Sequence, residues 1–144
     1  MLVQSILKSK DVAEVVTIGP DATIEAAAKL LSLHGIGTVV VSSDKKQPLG
    51  ILSERDIVRQ LAKTGSVCLE HTVDAYMTRE LVTCGQENNV QEVLTKMTEG
   101  RFRHMPVVEN GVLVGIISLG DVVKAQLAEM AMEKTALEGM IMGH

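Results

Sequence analysis

The sequence predicts an α/β protein built from two pseudo-symmetric β-α-β-β-α repeats packed through their sheets. Three observations predict it. Val15-Val16-Thr17-Ile18 returns in the second half as Leu81-Val82-Thr83-Cys84, with Thr83 answering to Thr17. Gly50-Ile51-Leu52-Ser53-Glu54-Arg55-Asp56 returns at nearly the same offset as Gly115-Ile116-Ile117-Ser118-Leu119-Gly120-Asp121. Between these pairs lies an apolar stripe at helical spacing, Ile24, Ala27, Ala28 and Leu31 in one half and Val90, Val93, Leu94 and Met97 in the other. A steady period of this kind marks one supersecondary unit used twice. One such unit is small for an independent core, and pairing two solves that problem.

The elements follow in chain order. Leu2, Val3, Ile6 and Leu7 form a lead-in to repeat one. A short β-branched strand then ends at Thr17, and Gly19-Pro20-Asp21 turns the chain into the first amphipathic helix. Thr38–Val41 and Leu49–Leu52 read as two strands joined by the polar turn Ser42–Pro48. A second helix opens near Ser53, a capping residue, with Asp56 at the start where a carboxylate suits the helix dipole. Residues 64–78 read as a connector, polar at first, then a helical lead-in to repeat two. In repeat two the strand ends at Thr83, Gly85–Asn89 turns, and the stripe from Val90 to Met97 gives the helix. Met105–Val108 and Val112–Ile117 flank Asn110-Gly111, a hairpin signal. Arg101 and Arg103 alternate along the approach to that hairpin, so a strand there puts them on one face. The last helix opens near Ser118. The resulting boundaries are 1–63 for repeat one with its lead-in, 64–78 for the connector, 79–125 for repeat two and 126–144 for a C-terminal helix.

Composition narrows the function. The chain has 144 residues, 46% of them hydrophobic and 22% charged, enough for a packed core. It has one Phe, one Tyr and no Trp, so the core is aliphatic and there are no aromatic platforms for single-stranded nucleic acid. The net charge of −4 leaves no broad basic field for a nucleic-acid backbone. No apolar run approaches the roughly 18 residues of a membrane span. The start of the chain lacks the pattern of a signal peptide. Cys68 and Cys84 form no CxxC and read as free thiols, so the expected compartment is the cytoplasm. Among His34, His71, His104 and His144 no metal-ligand spacing appears, and there is no nucleophile elbow, P-loop or GxGxxG. Neither a metal site nor a catalytic centre is expected.

With the repeat established, the chain resembles a tandem pair of cystathionine-β-synthase-type (CBS) domains. The residues carrying the resemblance are Asp74–Thr83 as the entry to a repeat, Phe102-Arg103-His104-Met105-Pro106-Val107-Val108 as its second strand, and Leu49–Asp56 with Val114–Asp121 as its Gly-Ile-(Ile/Leu)-(Ser/Thr)-x-x-Asp ending. The resemblance runs from about Ile6 to about Ala125. It implies a regulatory module that binds adenine nucleotides (AMP, ADP, ATP or NADH) in clefts between repeats, and a disc-like homodimer. Carried over by position, one cleft holds Ile116, Ser118, Gly120 and Asp121 facing Thr17, Ala22, Ile36, Gly37 and Thr38. The other holds Ile51, Ser53, Arg55 and Asp56 facing Thr83, Asn88, Phe102, Arg103, His104 and Pro106. In each, the Asp would accept the ribose hydroxyls. The Ser and the helix-end N–H groups would meet phosphate.

The chemistry of these residue types makes the clefts unequal. Arg55, Arg103 and His104 gather in the Asp56 cleft, with Arg101 close in sequence, so that cleft favours phosphate charge. The Asp121 cleft has Gly120 in place of Arg55 and Gly37-Thr38 in place of Arg103-His104, so it relies on adenosine recognition or borrows a cation from its neighbour. A ligand spanning both clefts is compatible with this layout. The tail from Val122, with Val123, Leu127, Met130, Leu137 and Ile141 at helical spacing and further Met between them, is expected to serve self-association or a regulated partner protein. Two other functions fit the same residues. One is a nucleotide-hydrolysing or metal-dependent enzyme using Asp56, Asp121 and His104. The other is a structural adaptor whose clefts stay empty, with Asp56 and Asp121 acting only as helix N-terminal carboxylates.

Overall fold

The computed structural model describes residues 1–10 and 15–142; expectations for the last two residues of the tail, His144 among them, lie outside these. The chain orders as α1 (Val3–Ser9), β1 (Thr17–Ile18), α2 (Ile24–His34), β2 (Thr38–Val41), β3 (Gly50–Ser53), α3 (Glu54–Thr64), a 3₁₀ stretch (Gly65–Glu70), α4 (Val73–Tyr76), α5 (Val90–Gly100), β4 (His104–Glu109), β5 (Val112–Ser118) and α6 (Leu119–Ile141). In α2 and α5 the faces expected from spacing are the buried ones: Ile24, Ala27 and Leu31, then Val90, Val93 and Met97. Thr23 caps α2 by accepting from the Ala26 N–H at 3.1 Å, and Asn89 caps α5 by accepting from the Gln91 N–H at 2.8 Å.

Repeat one carries a three-stranded sheet in the order β1-β2-β3, with β1 parallel and β3 antiparallel to β2. β1 begins at Thr17, whereas the sequence pattern had the strand ending there. Repeat two has a two-stranded sheet, β4-β5, whose turn holds Asn110 at φ 52° and Gly111 at φ 78°. Both central residues at positive φ are what a tight hairpin turn needs.

The strand expected to end at Thr83 is reduced to one parallel bridge a residue later, Cys84 with Val107. The Cys84 N–H donates to the Pro106 carbonyl at 3.1 Å, and the Val108 N–H donates to the Cys84 carbonyl at 2.8 Å. One step further along this parallel ladder, residue 106 would have to donate to residue 82. Pro106 has no N–H, so the ladder stops. In repeat one Val40 stands at the matching position, and there the strand forms.

The two hydrophobic cores exchange their lead-ins. Val3 and Ile6 of α1 sit in the core of repeat two with Cys84, Val90, Met97, Met105 and Ile117. Val73 and Met77 sit in the core of repeat one with Ile24, Leu31, Val39 and Leu52. The backbone bonds match. Leu2 bridges Asn89 and Thr72 bridges Thr23, so each lead-in docks at the cap of the opposite repeat's first helix. The sequence pattern had each lead-in serving the repeat that follows it. A repeat of this size cannot cover its own sheet and helices, and the exchange ties each repeat's core to the other's chain.

At Gly50 the chain closes against backbone. A Cβ there would lie 2.7 Å from Met77 Sδ and 2.9 Å from the Thr78 carbonyl oxygen, because Ile51 and Thr78 exchange two backbone hydrogen bonds beside it. The cysteines are free and buried. Burial pushes the Cys84 thiol up to about 11, so it stays protonated. α6 is one helix of 23 residues that begins inside repeat two and runs on through the tail. Only Val122 and Ala125 of it are buried. Leu127, Met130, Leu137 and Ile141 are exposed. No helix among the described residues is long and apolar enough to cross a membrane.

Candidate functional site

β3 and β5 each end on a serine that caps the following helix, and in each case the helix's third residue is the aspartate. Ser53 accepts from the Asp56 N–H at 3.2 Å, while Asp56 Oδ2 accepts from the Ser53 N–H at 2.9 Å and its hydroxyl at 3.0 Å. Ser118 accepts from the Asp121 N–H at 3.1 Å, and Asp121 Oδ2 accepts from the Ser118 N–H at 2.9 Å. Both are capping boxes. The Gly37 carbonyl accepts from the Glu54 N–H at 2.8 Å and the Arg103 carbonyl from the Leu119 N–H at 2.7 Å. Each helix start is therefore pinned to the segment that enters the neighbouring strand of its own repeat.

Two clefts open at these helix starts. The larger, of about 480 Å³, is lined by Ile51, Ser53, Arg55, Asp56, Phe102, Arg103 and His104, seven of the residues expected around Asp56. Thr83, Asn88 and Pro106 are not among its lining residues. Val82 lines it instead, and Asn88 Oδ1 accepts from the Gly85 N–H at 2.6 Å, inside its own turn. Pro106 is buried in β4. The smaller cleft, of about 330 Å³, is lined by Ile36, Gly37, Thr38, Ile116, Ser118 and Asp121, while Thr17, Ala22 and Gly120 lie outside its lining. Val16 takes the place of Thr17 there, as Val82 takes that of Thr83. Val15 and Leu81 line these clefts too, so at each entry the two residues before the threonine face the cleft and the threonine itself does not.

Gly37, Thr38 and His104 line both clefts. Thr38 and His104 occupy equivalent positions of the two repeats, and Thr38 Oγ1 lies 3.1 Å from His104 Nδ1. This pair forms the wall between the clefts. Burial holds the imidazole below its ordinary range, against the pull of Asp121 and with the push of Lys10 and Arg103.

The electrostatics of the clefts differ. Around Asp56, four guanidinium groups (Arg55, Arg59, Arg101 and Arg103) face three carboxylates (Glu54, Asp56 and Glu80). Asp56 Oδ1 makes only a 3.4 Å contact with Arg59. Neither Arg101 nor Arg103 is on a strand, since β4 begins at His104; Arg101 is the left-handed C-cap of α5, with φ 57°. The Asp121 cleft is walled by Leu7, Val15, Val16, Ile36, Val114 and Ile116. Its cation is Lys10, which the sequence pattern did not identify; Lys10 Nζ donates to Asp121 Oδ2 at 2.8 Å and to the Ile116 carbonyl at 3.0 Å. Burial pushes the Asp121 carboxyl up, but Lys10 and the Ser118 N–H more than offset it, so it lies below its ordinary range. Among the described residues no group of three His, Cys, Asp or Glu side chains is placed to hold a metal ion.

The comparisons with known proteins agree on the architecture. The family model for the CBS domain matches twice, over residues 8–63 and 73–128. A CBS-domain protein of Agrobacterium tumefaciens is 44% identical, with a TM-score of 0.82 over 88% of this chain and 99% of that one. The mitochondrial CBS domain-containing protein CBSX3 of Arabidopsis thaliana is 35% identical over 127 residues, 85% of this chain and 62% of its own length. The CBS domain pair of protein MJ0100, solved in complex with 5′-methylthioadenosine and S-adenosyl-L-methionine, is 28% identical, with a TM-score of 0.77 over 90% of this chain and 98% of that one.

Proposed function

This chain belongs to the CBS domain family as a tandem pair, and on that premise we propose that it is a non-catalytic regulatory module whose two clefts bind adenosyl ligands. The observation that carries this reading is the repeated cleft. Each has aliphatic walls and an aspartate fixed at a helix N-terminus by a Ser-x-x-Asp box. A carboxylate so placed can accept a pair of ribose hydroxyls. The related MJ0100 pair binds adenosyl compounds.

The clefts divide the ligands by charge. The Asp56 cleft, with four guanidinium groups, takes a phosphorylated adenine nucleotide: AMP, ADP, ATP or NADH. The Asp121 cleft, apolar apart from one ion pair and a few neutral polar groups, takes an adenosyl compound without phosphate. Occupancy is passed on through association. The exposed apolar residues of α6 form a surface for a second copy, in a homodimer that presents the signal to a regulated protein.

The test is the ultraviolet spectrum of purified protein before and after denaturation and filtration, with mass spectrometry of the filtrate. With one Tyr and no Trp the chain absorbs little at 280 nm, so bound adenine dominates near 260 nm. An adenine compound in the filtrate, or a calorimetric titration with AMP, ATP or NADH that is lost in Asp56→Ala, supports the proposal. A clean spectrum and silent titrations favour the adaptor reading; release of product from ATP favours an enzyme.

A further inference from the structure

We propose that Lys10 sets the charge of the ligand that the Asp121 cleft accepts, making it a site for uncharged adenosyl groups that rejects cationic ones. The proposal rests on the reading of that cleft as an adenosyl site. Lys10 directly follows α1, the lead-in helix that crosses to repeat two. α1 is anchored there by Val3 and Ile6 in the core and by Leu7, which packs where a Cβ on Gly115 would sit. That anchoring delivers the Lys10 ammonium into a cleft formed 111 residues away.

An ammonium has three N–H donors. Two are used, on the Ile116 carbonyl and Asp121 Oδ2. Among the described residues the third N–H and Asp121 Oδ1 have no partner, which leaves a donor and an acceptor for a ligand. The cleft therefore offers one donor and one acceptor from an ion pair with no net charge. Both side chains are about three-quarters buried, at 27% exposure each, so the pair is only partly screened by water. Among the described residues the Asp56 cleft has no counterpart. Leu2 and Thr72 dock in equivalent places, as do Leu7 against Gly115 and Met77 against Gly50, so Glu80 stands where the repeat places the equivalent of Lys10, and it lines the Asp56 cleft as a carboxylate; the cation near Asp56 is the exposed Arg59 of its own helix. Without Lys10, Asp121 would be a lone carboxylate among aliphatic walls, a site that attracts cations.

The test uses two probes of nearly equal shape: 5′-methylthioadenosine and its S-methyl sulfonium, which adds one methyl and one positive charge. Both are titrated calorimetrically into the full chain carrying Asp56→Ala, so that a single cleft is read, with Lys10 intact or changed to Met, Gln or Arg. The intact cleft is expected to prefer the thioether. Lys10→Met and Lys10→Gln are expected to shift the preference toward the sulfonium by about tenfold or more, and Lys10→Arg to restore the original order. Using two neutral variants keeps the test intact should one of them fold poorly. Equal weakening of both probes, with their ratio unchanged, would reduce Lys10 to a structural tether and overturn the assignment alone. Absence of binding by either probe in every variant would overturn the adenosyl reading of the cleft as well.

Discussion

Replacing Asp121 by Ala should cost more stability than replacing Asp56 by Ala, although the two residues hold equivalent places. Each aspartate accepts from the N–H of its capping serine, and losing that half of a capping box costs about 1 kcal/mol. Asp56 also loses the bond from the Ser53 hydroxyl at 3.0 Å, which water can replace at this part-buried site, and its contact with Arg59 spans 3.4 Å with Arg59 59% exposed, a class of pair that contributes under about 0.5 kcal/mol. Asp121 also releases the Lys10 ammonium, which at 27% exposure is left, among the described residues, with the Ile116 carbonyl as its partner. A charged hydrogen bond in such a half-wet site contributes about 1–2 kcal/mol. The expected losses are about 1 kcal/mol for Asp56→Ala and about 2–3 kcal/mol for Asp121→Ala, or roughly 2–4 °C against 5–10 °C in Tm. Urea unfolding of the single and double variants gives the couplings: about 1–2 kcal/mol between Lys10 and Asp121, and under about 0.5 kcal/mol between Arg59 and Asp56. The Asp121 carboxyl is depressed in the folded state, so its contribution is present above the unfolded value of 3.8 and fades as pH falls through the folded one. The gap between wild type and Asp121→Ala should therefore narrow below about pH 4. Equal losses at the two sites, or a Lys10–Asp121 coupling indistinguishable from zero, would refute the reasoning.

Two further outcomes follow from the fold. Gly50→Ala forces a methyl against the Thr78 backbone carbonyl, which cannot swing away as a side chain can, and should destabilise by roughly 1–3 kcal/mol in urea titration. His104 has its folded pKa lowered, so protonation favours the unfolded chain: its penalty is absent above the unfolded value of about 6.5, grows as pH falls from there, and levels off below the folded value. Between pH 7.5 and 5, wild type should lose more stability than His104→Asn; parallel curves for the two would show that the imidazole takes up its proton as readily in the folded chain as in the unfolded one, and would refute the shift.

The parts of the fold visible in the sequence are those with a local cause. The stripes of α2 and α5, the Asn110-Gly111 turn and the serine caps each depend on near neighbours in the chain. The parts missed depend on pairing. Whether Thr17 or the residues before it face the cleft depends on how β1 pairs with β2, and Thr17 is the first residue of that pairing. Pro106 ends the strand at Cys84 through one missing N–H, an effect without meaning until Cys84 is known to lie beside Val107. Lys10 carries no local mark, since its partners are 106 and 111 residues distant. Arg101 is different, because the repeat itself held the answer. Gly35 stands at the equivalent position of repeat one and ends α2 in the left-handed conformation at φ 62°, so Arg101 had to be read as a helix end and not as strand.

That pair belongs to a pattern that explains how two nearly equivalent clefts come to differ. Three of the four arginines of the Asp56 cleft replace glycines of the other repeat: Arg101 stands for Gly35, Arg103 for Gly37 and Arg55 for Gly120. The backbone does the structural work at these positions. Gly35 and Arg101 turn the chain, and Gly37 and Arg103 each offer a carbonyl to the N–H that opens the next helix. Arg55 and Gly120 occupy the first turn of a helix. A side chain added at such a place projects from the frame without repacking a core. Only Arg101 meets conformational resistance, about 1–2 kcal/mol for a non-glycine residue in the left-handed region. Strain of this kind persists where the surroundings hold it, and it concentrates at functional sites. The duplicated frame thus keeps its hydrogen bonds in both halves, while the positions free of packing duties carry the charge into one cleft only.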